Sequence, residues 1–122
     1  MRAAALVLAI LAAACSPPPP VALDVRVSCA ADGHALRQRC TVRLADRRTG
    51  RPLEGATVSL HADMPSMPLA HSVPPAAATP GAEPGTYHGT LEVEMAGRWV
   101  IAVRIAGPVR DQVTHTIDVE HR

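Results

Sequence analysis

The chain has 122 residues, and its 12 lysine and arginine residues nearly balance its 11 acidic residues, which leaves a formal net charge of +1. This length is sufficient for one small domain and too short for two. A nearly neutral chain lacks the basic face that nucleic-acid binding requires, so we expect no nucleic-acid partner.

The first 15 residues contain the three parts of a bacterial secretory signal peptide. Arg2 supplies a positive charge, an apolar run extends from Ala3 to Leu11, and small alanines precede Cys15. The apolar run is much shorter than the roughly 20 residues that a membrane-spanning helix needs. A cysteine at this place resembles the bacterial lipobox, which implies removal of residues 1–14 and lipidation of Cys15. The alternative is an ordinary signal peptide cleaved near Ala14, which would leave a free thiol at Cys15.

Residues 15–21 are interpreted as a tether, because Pro17 to Pro20 favour an extended polyproline II conformation. Such a spacer would hold a domain of residues 22–122 away from the membrane to which Cys15 is attached. A disordered N-terminal segment is the alternative. With this signal peptide, we expect the protein at the periplasmic side of the bacterial cell envelope, anchored to a membrane by its lipid.

Apolar and polar residues alternate in six stretches of the remaining chain, which is the pattern of half-buried β-strands. The apolar lines of these stretches run from Val25 to Cys29, Cys40 to Leu44, Ala56 to Leu60, Tyr87 to Met95, Trp99 to Ile105 and Val113 to Val119. Turn sequences that contain glycine or proline separate them. Amphipathic strands without a convincing helical period predict an all-β fold, a small antiparallel sandwich of two sheets.

Cys29 and Cys40 remain as a pair once Cys15 is assigned to the lipid, and export permits a disulfide bond between them. Both lie on the apolar lines of their strands, so both side chains would point into the same interior if the strands are neighbours. The bond would close a short loop and contribute on the order of 3 kcal/mol. It would matter in a core that has no Phe, one Trp and one Tyr.

The proline-rich segment Met64–Gly85 shows no alternation and is predicted to be a long loop, where binding residues are most expected. Its first half contains Met64 and Met67, with His61 before them and His71 after them. Thioether sulfur is a soft ligand that suits Cu(I), and imidazole also binds copper. The alternative is that the methionines only cover one end of the sandwich and that the histidines are solvated.

Several short motifs resemble the YtkA-like and FixH-like envelope domains over about residues 53–106. They are Gly55-Ala56-Thr57-Val58-Ser59-Leu60, Met64-Pro65-Ser66-Met67 with His71, Pro84-Gly85-Thr86-Tyr87-His88-Gly89 and Met95-Ala96-Gly97-Arg98-Trp99. The resemblance implies an immunoglobulin-like sandwich of about six to seven strands. It also implies a role in copper handling or respiratory oxidase assembly, with Met64, Met67 and His71 as metal ligands. His61 is the expected fourth group.

Motifs typical of enzymes are missing from the sequence, which has no Gly-x-Ser-x-Gly and no glycine-rich phosphate loop. We therefore expect a binding protein that is not an enzyme and has no small-molecule substrate. The first hypothesis is a membrane-anchored protein that binds copper as Cu(I) and meets a copper acceptor. The second is a non-metal sandwich that docks an envelope protein through an edge strand or the proline-rich loop. Met95 and Trp99 are expected in the core, and His34, His88 and His115 are assigned no role.

Overall fold

The computed structural model describes residues 22–67 and 73–120, which form seven antiparallel β-strands. The strands are β1 (Leu23–Asp32), β2 (His34–Asp46), β3 (Thr57–Asp63), β4 (Val73–Pro80), β5 (Thr86–Glu92), β6 (Gly97–Ala106) and β7 (Asp111–Val119). Within the described ranges, no helix is long and apolar enough to cross a membrane. The predicted signal peptide, the predicted lipidation site Cys15, the predicted tether 15–21 and the predicted ligand His71 lie outside the described residues.

The strands follow the order β1-β2-β5-β4-β3-β6-β7 in one sheet that folds over at β4. β4 pairs with β3 at four positions but with β5 only through Thr79 and Pro80. One layer therefore contains β1, β2 and β5, and the other contains β3, β6 and β7. This is the strand connectivity of immunoglobulin-like sandwiches. The predicted all-β fold of six to seven antiparallel strands is confirmed.

The core lies between the two layers and is built from alternate residues of the predicted strands. Val42 and Leu44 of β2 and Leu60 of β3 are almost completely buried, whereas their polar neighbours face solvent. Burial of one such side chain stabilises the fold by about 1.5–3 kcal/mol. Trp99 and Tyr87 are the largest buried side chains, and the Tyr87 hydroxyl donates to the Leu53 carbonyl at 3.0 Å. The expectation that Trp99 lies in the core is confirmed.

The segment Met64–Gly85 is not one long loop, because its middle part forms β4 (Val73–Pro80). The prediction was wrong because a proline-rich strand with alanines on its inner side shows little apolar contrast. Proline cannot donate a backbone hydrogen bond and is therefore confined to irregular or edge positions of a sheet. Pro74 and Pro75 fall at the register shift of the β3–β4 ladder, where regular pairing is interrupted. Ala78 then points into the core.

Cys29 and Cys40 form the predicted disulfide bond, and their sulfur atoms are 2.05 Å apart. The two residues face each other directly in the β1–β2 ladder, with Cα atoms 4.1 Å apart. Cys40 is completely buried, whereas Val25 and Val27 on the inner side of β1 are only partly buried. The disulfide therefore ties a weakly packed edge strand to a strand of the core.

The segments that connect the strands gather at two opposite ends of the sandwich, because neighbouring strands are antiparallel. One end, called the tether end here, contains Ala22 and the segments 47–56, 81–85 and 107–110. The other end, called the distal end, contains Gly33 and the segments 64–67 and 93–96. The chain thus enters the domain at the end opposite to the methionine-bearing segment.

Replacing Cys29 and Cys40 together by alanine should lower the free energy of unfolding by about 3 kcal/mol and the melting temperature by roughly 15 °C. The loss is expected because β1 would then be held only by backbone pairing and partly buried side chains. Thermal unfolding followed by circular dichroism measures the change. As a control, reductant should lower the melting temperature of the wild-type chain and leave that of the variant unaltered. Equal melting temperatures in the absence of reductant would contradict a stabilising role.

Candidate functional site

Met64 and Met67 occupy the first and last positions of a tight turn that follows β3. The Met67 backbone N–H donates to the Met64 carbonyl at 3.0 Å, and Pro65 occupies the second position, which its fixed φ favours. The turn sends the two side chains in different directions, because Met64 is only 4% exposed and Met67 is 39% exposed. The spacing of three residues therefore separates one buried from one accessible thioether.

Met64 is packed against the backbone at the start of β6. Its terminal methyl carbon lies 3.0 Å from the position that a Cβ atom on Gly97 would occupy. Gly97 also has a φ of 135°, a conformation that side-chain-bearing residues rarely adopt. Glycine at this position therefore makes room for Met64. The alternative interpretation, in which methionine covers an end of the sandwich, describes Met64 well.

Met95 is accessible, which corrects the expectation that it lies in the core. The β2–β5 ladder ends at the pair Arg37 and Glu92, and Met95 follows in the turn to β6 with 37% of its surface exposed. The carbonyl of Met95 accepts a hydrogen bond from Trp99 Nε1 at 3.0 Å, which fixes the backbone of this turn. The Ala96-Gly97 turn sequence directly after Met95 is the signal that could have revealed this exposure.

The large apolar side chains exposed among the described residues are both methionines, Met67 and Met95. Both belong to the distal end. Their two segments are in contact, because Met64 of the first segment packs on Gly97, two residues after Met95. Thioether sulfur is weakly polar and binds soft metal ions, so accessible sulfur is chemically different from an accessible aliphatic side chain.

His61 lies on β3 between the buried residues Leu60 and Ala62, so its side chain is on the outer face of the sheet. Its Nε2 atom is 3.2 Å from Asp63 Oδ2. Its Nδ1 atom is buried and has no hydrogen-bond partner within the described residues. Met64, in contrast, points into the core. The described part of the chain therefore does not bring His61 and Met64 to one surface, and the predicted roles of both as metal ligands stay predictions.

A groove of about 880 Å³ opens beside Met95 at the distal end. His34, Asp118 and Glu120 also line it, and His34 Nε2 lies 3.8 Å from Glu92 Oε1. Asp118 accepts a hydrogen bond from Arg98 Nε at 3.0 Å, and this bond, together with the negative charge, raises the pKa of Arg98. No group of three or more His, Cys, Asp or Glu side chains suited to a metal ion occurs within the described residues.

His88 and His115, which have no predicted role, lie on strands of the sandwich away from the methionines. His88 Nδ1 lies 3.1 Å from Thr41 Oγ1 on the outer face of the β2–β5 pair. His115 lies opposite Ile101 in the β6–β7 ladder and is partly buried on the inner side of the edge strand. Neither is a component of the distal end segments.

A family model described as YtkA-like matches residues 22–104. The matched range begins directly before β1 and ends within β6, so it includes both methionine-bearing segments of the distal end. Comparisons with curated proteins and with solved structures gave no match.

Mild treatment of the folded chain with hydrogen peroxide should oxidise Met67 and Met95 several-fold faster than Met64. The expected order follows from exposure, because oxidation to the sulfoxide requires access of the reagent to sulfur. Peptide mass spectrometry at several reaction times measures the three rates, and unfolding in denaturant should make them equal. Equal rates in the folded chain would show that Met64 is as accessible as the other two.

Proposed function

This chain belongs to the YtkA-like family, and we propose that it is a lipid-anchored protein of the bacterial cell envelope that binds Cu(I) through methionine sulfur at its distal end. Cys15 carries the lipid, residues 15–21 form the tether, and the β-sandwich presents the copper site towards the periplasm. The partner would be an envelope protein that receives the copper.

The observation that carries the proposal is the selective exposure of Met67 and Met95. The sandwich buries its Trp, its Tyr and most of its large aliphatic side chains, yet leaves these two thioethers accessible in neighbouring segments. The two accessible thioethers belong to segments that are in contact, so both soft donor atoms lie at the distal end. Soft thioether ligands select Cu(I) over metal ions that prefer nitrogen, thiolate or oxygen ligands.

The proposal changes the ligand set expected from the sequence. Met67 and Met95 become the thioether ligands, and Met64 becomes the residue that packs the two segments together. His71 stays the predicted imidazole ligand because it follows Met67 by four residues. His61 is no longer included among the ligands. It lies on the outer face of β3 beside Asp63, and its Nδ1 atom is buried.

Replacing Met67 and Met95 together by leucine should lower the affinity for Cu(I) by about a hundredfold, which corresponds to about 2.8 kcal/mol. Leucine keeps the volume and apolarity but removes both sulfur atoms, so the melting temperature without metal should hardly change. Competition against a Cu(I) chelator of known affinity measures the effect. The matched control is Met64→Leu, which removes one buried sulfur and should leave the affinity within a few-fold of wild type.

Two outcomes would contradict this assignment. If Met64→Leu weakens binding as much as the double variant, the Met64–Met67 turn binds the metal and the packing role of Met64 is wrong. If the double variant binds Cu(I) as tightly as wild type, the thioethers are not ligands. Their exposure would then favour the second hypothesis, a non-metal module whose distal end contacts an envelope protein.

A further inference from the structure

We propose that the arginine-rich turn after β2, residues 46–51, contacts the anionic phospholipid headgroups of the membrane that holds the lipid anchor. The proposal rests on the lipid anchor included in the proposed function, and it adds a second, electrostatic contact that orients the domain. The turn contains Arg47, Arg48 and Arg51, all of them exposed.

The turn is rigidly built, so its arginine side chains project from a fixed backbone. Gly50 N–H donates to the Asp46 carbonyl at 2.7 Å, and Asp46 N–H donates to the Arg51 carbonyl at 2.8 Å. The Asp46 carboxylate accepts from the backbone N–H groups of Arg48 and Thr49 at 2.8 and 3.4 Å. This carboxylate therefore stabilises the turn rather than pairing with an arginine side chain.

The same turn is bonded to the point where the tether enters the domain. Arg47 N–H donates to the Ala22 carbonyl at 2.7 Å, and its guanidinium group donates to the Leu23 carbonyl at 3.1 Å. The lipid-bearing Cys15 precedes Leu23 by 8 residues (23 − 15), which span at most about 29 Å when fully extended. The chain length therefore limits the distance between the lipid-bearing residue and the entry to the domain to about 29 Å, and the turn is bonded to that entry point.

The charges of the turn are available for a partner. Arg26 and Arg43 on the neighbouring strands pair with Asp24 and Glu83. Arg48 and Arg51, in contrast, form no ion pair with any residue of the ranges 22–67 and 73–120. Arginine binds phosphate oxygens with a planar set of N–H donors, which suits phospholipid headgroups.

Of the acidic groups at this end, the Asp46 carboxylate lies within the turn and bonds to its backbone, and Glu83 pairs with Arg43. Glu54 is exposed in the same connecting segment, and Asp111 begins β7 with one carboxylate oxygen bonded to the Gln112 N–H at 2.8 Å. Neither lies within the turn itself. Basic residues near an anionic membrane surface each strengthen binding by about fivefold.

The test uses the exported, lipidated chain reconstituted into vesicles of phosphatidylcholine alone or with phosphatidylglycerol. A fluorophore on Thr49→Cys reports the turn, and a fluorophore on Ser66→Cys reports the distal end. Quenching by headgroup-attached quenchers measures how close each label is to the bilayer surface. We expect the label at position 49 to be quenched more strongly in the vesicles with phosphatidylglycerol than in those without it, and the label at position 66 to be quenched equally in both.

The variant with Arg48→Gln and Arg51→Gln should lose this difference. Arg47 is left unaltered because it also bonds to Leu23. The matched control is Arg37→Gln with Arg39→Gln, which removes the same charge from exposed positions of β2 nearer the distal end and should keep the difference. Equal quenching in both vesicle types, or a loss in the control as large as in the turn variant, would overturn the proposal.

Flotation of the chain with the vesicles tests separately whether the lipid anchor holds the chain on the membrane. A chain that floats through its lipid but shows no lipid-dependent quenching overturns only the role of the turn. A chain whose mature N-terminal peptide carries no lipid, and which does not float, overturns the lipid anchor of the proposed function and this inference with it. Copper affinity is measured independently and is unaffected by either result.

Discussion

The indole of Trp99 joins the core of the sandwich to its distal end. The side chain is completely buried, and a buried N–H group is costly unless a partner accepts its hydrogen bond. The carbonyl of Met95 is that partner, at 3.0 Å. The hydrogen bond fixes the turn between β5 and β6, with the Met95 side chain outside the core. Gly97, between them in sequence, leaves the space that Met64 fills. One buried aromatic residue thus fixes the Met95 segment, and the Met64 segment packs on that segment at Gly97.

The antiparallel path of the chain separates the two proposed surfaces. The ten residues of β1 alone extend roughly 33 Å from the tether end towards the distal end. In the account proposed here, the lipid and the arginine-rich turn hold one end at the membrane, and the accessible thioethers face the periplasm at the other. A copper acceptor could then reach the metal without competing with the membrane for the same surface. β1 is the strand that follows the tether, and the disulfide bond attaches it covalently to β2.

Most of the fold could be predicted because half-buried strands repeat every two residues, as Cys40, Val42 and Leu44 do. β4 was not predicted as a strand because its inner positions are mainly alanine and its prolines are typical of loops. Met95 was misplaced because an apolar alternation can continue past the last pair of a ladder, and only the partner strand determines where pairing ends. The Met64–Met67 segment was found from its composition, but the different orientation of its two side chains depends on a turn and on Gly97, which the sequence pattern does not encode.

The central claim is that accessible methionine sulfur binds Cu(I) at the distal end. X-ray absorption at the copper edge of the Cu(I)-loaded chain tests it most directly, because sulfur scatters differently from nitrogen and oxygen. The account predicts sulfur neighbours around copper in the wild-type chain and their loss when Met67 and Met95 are replaced by leucine. A spectrum with only nitrogen and oxygen neighbours in the wild-type chain would contradict it.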